Sequence, residues 1–436
     1  MLNILTNRTY RNLFIAQVIA LIGTGLASVA LGLLAYDLAG DRAGAVLGTA
    51  LAIKMSAYIL VAPMAAAFAN KFPRRTILVT LDLIRTLVAV ALPFVTQIWE
   101  IYVLIFVLQS ASAAFTPTFQ ATIPDILPDE REYTRALSLS RLAYDLESVI
   151  SPMLAAALLT VMSFHNLFAG TAVGFLASAL LVVSVTLPEM KELTIKRSIY
   201  DKTTRGIRIF LKTPRLRGLL VLNMAQAAAS AMVIVNTVVL VQTDFGLSQR
   251  ATAIALAFFG MGSMVSALVI PKLLNKMRDR VPMLVGTALQ VVGLGLGIFL
   301  NNYFTLVVLW ALLGIGYSLS QTPSGRLLRR SSTTEDRPAL FAAQFALSHS
   351  CWLITYPLAG WAGATWGTQT SFISLTGVAA LSLLTASLIW RPEHEEYVQQ
   401  HSHIDPDTNN AYIHEHNFFI DDEHPSWPKK EKYVPK

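Results

Sequence analysis

The sequence predicts an all-α membrane protein: twelve transmembrane helices in two pseudo-symmetric six-helix bundles, followed by a polar C-terminal tail. Three observations carry this. Only 14% of the 436 residues are charged, against about 25% in soluble domains, while 54% are hydrophobic and the mean hydropathy is +0.53. Apolar runs recur at the length of about 20 residues that a helix needs to cross the hydrocarbon core. The second half repeats local signatures of the first at an offset close to 205 residues.

The runs fall at 13–36, 45–68, 77–95, 101–119, 137–162, 167–187, 218–241, 251–273, 283–300, 304–323, 339–362 and 372–390. Arg8 and Arg11 precede the first, which is longer than a signal-peptide core and reads as a spanning helix. The single cysteine, Cys351, excludes an internal disulfide framework. Alternate loops carry the basic residues: Lys71, Arg74 and Arg75; Arg131 and Arg135; Lys272, Arg278 and Arg280; Arg326, Arg329, Arg330 and Arg337. Positive-inside bias places these loops and both termini in the cytoplasm of a bacterial inner membrane. The net charge of +7 is therefore a topology signal, and no nucleic-acid partner is expected.

Asn70-Lys71-Phe72 before Arg75 resembles Asn275-Lys276-Met277 before Arg280, and Thr116-Pro117 recurs as Thr322-Pro323. Such a repeat implies two bundles with a solute path between them. The expected units are residues 1–189, a linker at 190–216, residues 217–390, and a tail at 391–436. In the linker, Ile199, Ile207 and Phe210 stand at roughly helical spacing among basic residues. That suits either a helix on an anionic leaflet or a solvated linker.

Polar residues at helical spacing should turn from lipid toward protein or water. Gln17 and Thr24 mark the first span; Gln109, Ser112 and Thr116 the fourth; Asn223, Gln226 and Ser230 the seventh; Tyr317 and Gln321 the tenth. One span in every three is marked, which suggests a lined cavity; for any one helix, hydroxyls satisfying backbone carbonyls would suffice. Ionisable groups at membrane depth are normally kept because they pair, bind or carry protons. Lys54, Arg141, Asp145 and Glu147 are the proton-coupling candidates. Asp145 and Glu147 lie about 200° apart on one helix, so one arginine cannot serve both. Asp82 and Arg85, spaced i, i+3, are expected to pair at the cytoplasmic gate with Lys71, Arg74 and Arg75. His349 is a cavity-lining candidate and, being about 200° from Cys351, does not share a face with it.

The tail holds six of the eight histidines. His401, His403, His414, His416 and His424 stand among acidic residues and suit a labile divalent-metal site; a disordered acidic or docking segment is the alternative. No hydrolase, zincin or phosphate-loop motif is present, so neither an enzyme nor a cofactor is expected. The expected partners are the lipid bilayer, a small solute or metal ion, and protons, with the chain a monomer.

The stretch Ala-Ala-Phe-Ala-Asn-Lys-Phe-Pro-Arg-Arg at 66–75 resembles the cytoplasmic signature of the major facilitator superfamily, departing from it at Ala66, Asn70 and Pro73. Asp82-Leu-Ile-Arg85 and the stretch 206–217 resemble its drug:proton antiporter branch, which includes siderophore and macrolide exporters. Ser151-Pro152 stands where antiporters of the superfamily carry a Gly-Pro signature. Ser348-His349-Ser350-Cys351-Trp352 and the tail are similar to nickel-resistance exporters. The resemblance implies the major facilitator fold and proton-driven export by alternating access, with nickel favoured as substrate. An amphipathic organic compound is the alternative, and a membrane metal sensor that does not transport is a third reading.

Overall fold

The computed structural model describes residues 2–39, 43–69, 72–188, 198–392, 398–404, 411–420, 424 and 426–427. The first half supplies α1 (Arg8–Ala39), α2 (Ala43–Ala69), α3 (Arg74–Ala91), α4 (Ile98–Ile126), α5 (Glu130–Leu159) and α6 (His165–Val183). An amphipathic helix, α7 (Ile199–Lys212), leads to α8 (Pro214–Val238), α9 (Gln249–Leu274), α10 (Arg280–Gly297) and α11 (Tyr303–Gln321). The short α12 (Ser324–Arg330), then α13 (Arg337–Trp366) and α14 (Thr368–Ile389), complete the second half. Leaving aside α7 and α12, the described residues form twelve long helices. Nine stretches among them are long and apolar enough to cross a membrane. Helices α5 and α13 carry the charged and polar side chains discussed below.

Each half builds its own core. In the first, α1 and α3 pack on α6, and α2 packs on α4. In the second, α11 packs on α9 and α10, and α14 on α8, around the fully buried Trp310. The halves meet along two seams, α2 against α13 and α5 against α9.

Helix α7 is the first departure from expectation. It lies against α13 and α2, touching both halves rather than resting on lipid or in solvent. Its Ile209 and Phe210 are buried in the second half's core. Gly206 backs onto the Ala339 carbonyl, whose oxygen would stand 2.0 Å from any Cβ there. Arg205 forks onto Asp336 at 2.5 and 2.7 Å, a bidentate geometry that fixes the helix in place.

The tail is the second departure. It contains an antiparallel hairpin, β1 (Val398–Ile404) paired with β2 (Ala411–Asn417). His401 is in register with His414, His403 with Tyr412, and Gln399 with His416. Alternation along each strand puts positions 401, 403, 414 and 416 on one face. Their side chains lie outside the described residues, as does Lys71.

Candidate functional site

Along the α2–α13 seam the bundles meet through rings. Tyr58 stands edge-on to His349, with ring centroids 4.7 Å apart, and lies 4.8 Å from Phe345. Phe345, His349, Trp352 and Tyr356 follow one another at steps of three or four, so they climb one face of α13. Successive centroids are 4.3, 6.0 and 5.5 Å apart. Lys54, one turn before Tyr58 on α2, holds its ammonium 5.6 Å from that ring's centroid, within cation–π range. The Tyr58 hydroxyl donates to Gln109 Oε1 at 2.9 Å. His349 Nδ1 lies 2.7 Å from the Phe345 carbonyl oxygen. A carbonyl only accepts, so Nδ1 carries a proton in this contact.

Arg141 joins the other seam. It pairs with Asp145 on its own helix, and its Nε donates to Ser263 Oγ of α9 at 3.2 Å. Its guanidinium lies 4.5 Å from the centroid of Tyr317 on α11. One arginine of the first half thus touches two helices of the second. Glu147 points elsewhere. Its Oε1 would lie 2.6 Å from a Cβ at Gly25, where Ser151 Cβ, at 2.2 Å, already admits only glycine as α5 packs on α1. The charge of Lys54 reaches both Glu147 and His349. The two carboxylates are separated as their spacing predicts: Asp145 is engaged by Arg141, and Glu147 sits against α1.

The end carrying the basic loops is held by ion pairs between the halves. Asp125, at the end of α4, takes Arg74 of its own half at 2.5 Å and Arg337 of the other. Glu130, opening α5, takes Arg330 at 2.6 Å and Arg326 at 3.0 Å. Asp279 braces the same two arginines from within the second half at 3.2 and 3.3 Å. Arg329 donates to the Pro128 carbonyl and lies 5.4 Å from the Tyr133 ring centroid. Burial alone would raise the Glu130 carboxyl, but Arg330, Arg326 and Arg329 outweigh it and hold it below the usual carboxylate range.

The residues expected at a gate divide. Arg74 joins these ion pairs through Asp125. Arg75 instead donates to the Val183 carbonyl of α6. Asp82 and Arg85 do pair, but inside the first bundle: Ser178 donates to Asp82 at 2.8 Å, and Phe115 and Phe175 flank the guanidinium at 4.1 and 4.5 Å. They do not bridge the halves. Asp125 and Glu130 were the missed residues. Their signal was an acidic cluster, with Asp129, between the fourth and fifth spans in an otherwise basic row of loops. The rings of α13 were also missed, although their period was readable.

The polar stripes divide. The hydroxyls of Thr24 and Ser112 donate to the carbonyls of Ala20 and Leu108, four residues back. Thr116 is half-buried on α4. Gln17 accepts from Ser140 at 3.0 Å, tying α1 to α5. Gln226 donates to Ser320 at 2.6 Å inside the second bundle. Among the described residues, Asn223 Nδ2, Ser230 Oγ and Gln321 Oε1 are buried without a protein partner. His424 stacks edge-on to Phe418 at 5.3 Å. No group of three or more histidine, cysteine or acidic side chains forms a metal site among the described residues.

Comparison with known proteins agrees with this architecture. Two solved structures share the fold. The human organic anion transporter MFSD10 matches at TM-score 0.75 and 13% identity, over 87% of this chain and 99% of its own. A bacterial homologue of the iron transporter ferroportin, in an outward-facing state, matches at TM-score 0.70 and 15% identity, over 87% and 98%. Among sequence relatives, the Bacillus subtilis uncharacterized MFS-type transporter YfiS is 25% identical over 48% of this chain and 51% of its own. Macrolide efflux protein A of Enterococcus faecalis is 23% identical over 33% and 47%. The chain spans about half the length of these curated relatives or less. The pattern of the Major Facilitator Superfamily matches residues 13–294 and 219–406. The chain belongs to the major facilitator superfamily.

Proposed function

We propose that the chain is a secondary active exporter of amphipathic organic compounds that works by alternating access, with proton entry driving export. The basic end faces the cytoplasm of a bacterial inner membrane, and the chain acts as a monomer. The observation that carries the substrate class is the row of rings on α13 facing Tyr58, with Lys54 beside it. Flat polarisable faces take up apolar and cationic solutes without demanding a fixed ligand geometry. The relatives named for macrolide efflux support the same class.

In this reading the ion pairs from Asp125 and Glu130 shut the cytoplasmic side while the α2–α13 seam holds solute. Arg141 and Asp145 rearrange as α5 slides on α9. Glu147, beside Lys54, takes and gives the proton. An elementary charge crossing 100 mV supplies about 2.3 kcal/mol, to which a pH gradient adds.

Nickel export is the second reading. It is favoured by the hairpin register, which gathers His401, His403, His414 and His416 on one face of the tail. Reconstitution in proteoliposomes under an imposed pH gradient separates the two. Gradient-dependent flux of a macrolide or a lipophilic dye, without nickel flux, is the expected result. Nickel flux alone reverses the assignment, and nickel binding without any flux leaves only a sensor.

A further inference from the structure

The tail contains a docked segment that the transport reading does not use. Phe418 and Ile420 are 2% and 4% exposed, inserted among Ile209, Phe210, Leu327 and Trp390 at the cytoplasmic end of the second bundle. Trp427 and His424 both stand edge-on to the Phe418 ring, at 5.0 and 5.3 Å. Beneath them lies Arg215, 1% exposed at the start of α8. Among the described residues its guanidinium donates to Ser331 Oγ at 2.7 Å, the Arg330 carbonyl at 2.7 Å and the Phe418 carbonyl at 3.0 Å. Trp427 covers the same guanidinium, 5.5 Å from ring centroid to Cζ.

Two of these acceptors, on Arg330 and the Ser331 that follows it, stand at the end of α12, and another belongs to the tail. The side chain of Arg330 bridges Glu130 of the first half and Asp279 of the second. A continuous chain of contacts therefore runs from the Phe418 carbonyl through Arg215 to the main chain of Arg330, and from its guanidinium across the gate. We infer that the C-terminal segment around Phe418, Ile420 and Trp427 is an intramolecular clamp that favours the closed cytoplasmic gate by holding α12 through Arg215. A buried guanidinium with a fixed fork of donors needs all its acceptors in place. Undocking the tail removes the Phe418 carbonyl and the tryptophan cover, and the arginine must then find water or shift α12. Docking and gate closure bias one equilibrium, so each stabilises the other.

The inference rests on the rocking of two bundles but not on any substrate, so its test is conformational. Spin labels at the exposed positions 131 and 335, one on each half, in a Cys351→Ser background of the full chain, report gate separation. Phe418→Ala and Trp427→Ala should each raise the separated population severalfold. Phe418→Leu should stay near wild type, and Arg215→Lys should resemble the tail variants. If Phe418→Ala fails to fold, Trp427→Ala, at a half-buried position, still carries the test. An unchanged distance distribution in the folded tail variants, with only the melting temperature lowered, makes the segment a packing element and overturns the clamp.

Discussion

The two bundles hold each other in two chemically opposite ways. At the basic end, arginines of α12 and α13 reach carboxylates at the end of α4 and the start of α5. Midway along α2 and α13, they meet through Tyr58, Phe345 and His349. Where water can enter on opening, ion pairs can be exchanged for hydration at modest cost. At membrane depth the same exchange would leave charges in a low dielectric, so contact along α2 and α13 falls to rings, and the arginine that crosses the other seam, Arg141, is already paired with Asp145. In the proposed cycle, ion pairs make a switchable gate and rings a contact surface permissive about what it touches.

Four perturbations can break or sharpen that contrast. The largest effect is expected from Asp145→Asn combined with Glu147→Gln. It should abolish gradient-driven flux while the protein still inserts, as membrane fractionation would report; full flux in that variant would remove the proton-carrier role. Asp125→Ala comes next. It strands Arg74 and Arg337, and stranding one member of a buried pair typically costs about 3–5 kcal/mol. The label pair should then report an open cytoplasmic side, and a closed distribution would move the gate elsewhere. Third, Trp352→Ala and Tyr58→Ala should raise the half-saturating concentration of an organic substrate roughly 30-fold, since buried aromatic anchors are worth about 2 kcal/mol. Unaltered affinity in both would detach the rings from the substrate.

The smallest effect concerns pH. The Glu130 carboxyl is held below its ordinary range by the arginines around it. Its contribution to gate closure is therefore complete above the ordinary carboxylate pKa and is lost as pH falls through the depressed value. The carboxylate is part-exposed, so the shift should be slight: labels on the two halves should separate somewhat more under strong acidification, and less so in Glu130→Gln. Equal pH responses in the two proteins would assign the titration to another group.

Much of the architecture was readable residue by residue. The run lengths, the basic loops and the Asn-Lys repeat implied twelve helices in two halves. The i, i+4 spacing of Arg141 and Asp145 implied their pairing, and the angle to Glu147 implied the separation of the two acids. Less of the site was readable. Asp82 and Arg85 form a pair at the expected spacing, yet spacing within one helix cannot say that Ser178, Phe115 and Phe175 surround them. The apolar face of α7 implied a surface for burial but not which surface, and it is covered by protein instead of lipid.

The division has a single physical cause. A bilayer imposes length and apolarity on each span separately, and helical geometry fixes which neighbours three or four residues away can touch, so local sequence suffices for topology and for pairs within a helix. Contacts between the halves obey no such local rule. Arg337 reaches Asp125 across 212 residues of chain, and Arg215 meets Phe418 across 203. Which arginine finds which acid, and where the tail docks, is decided only when whole bundles pack and desolvation makes every unmatched buried charge expensive.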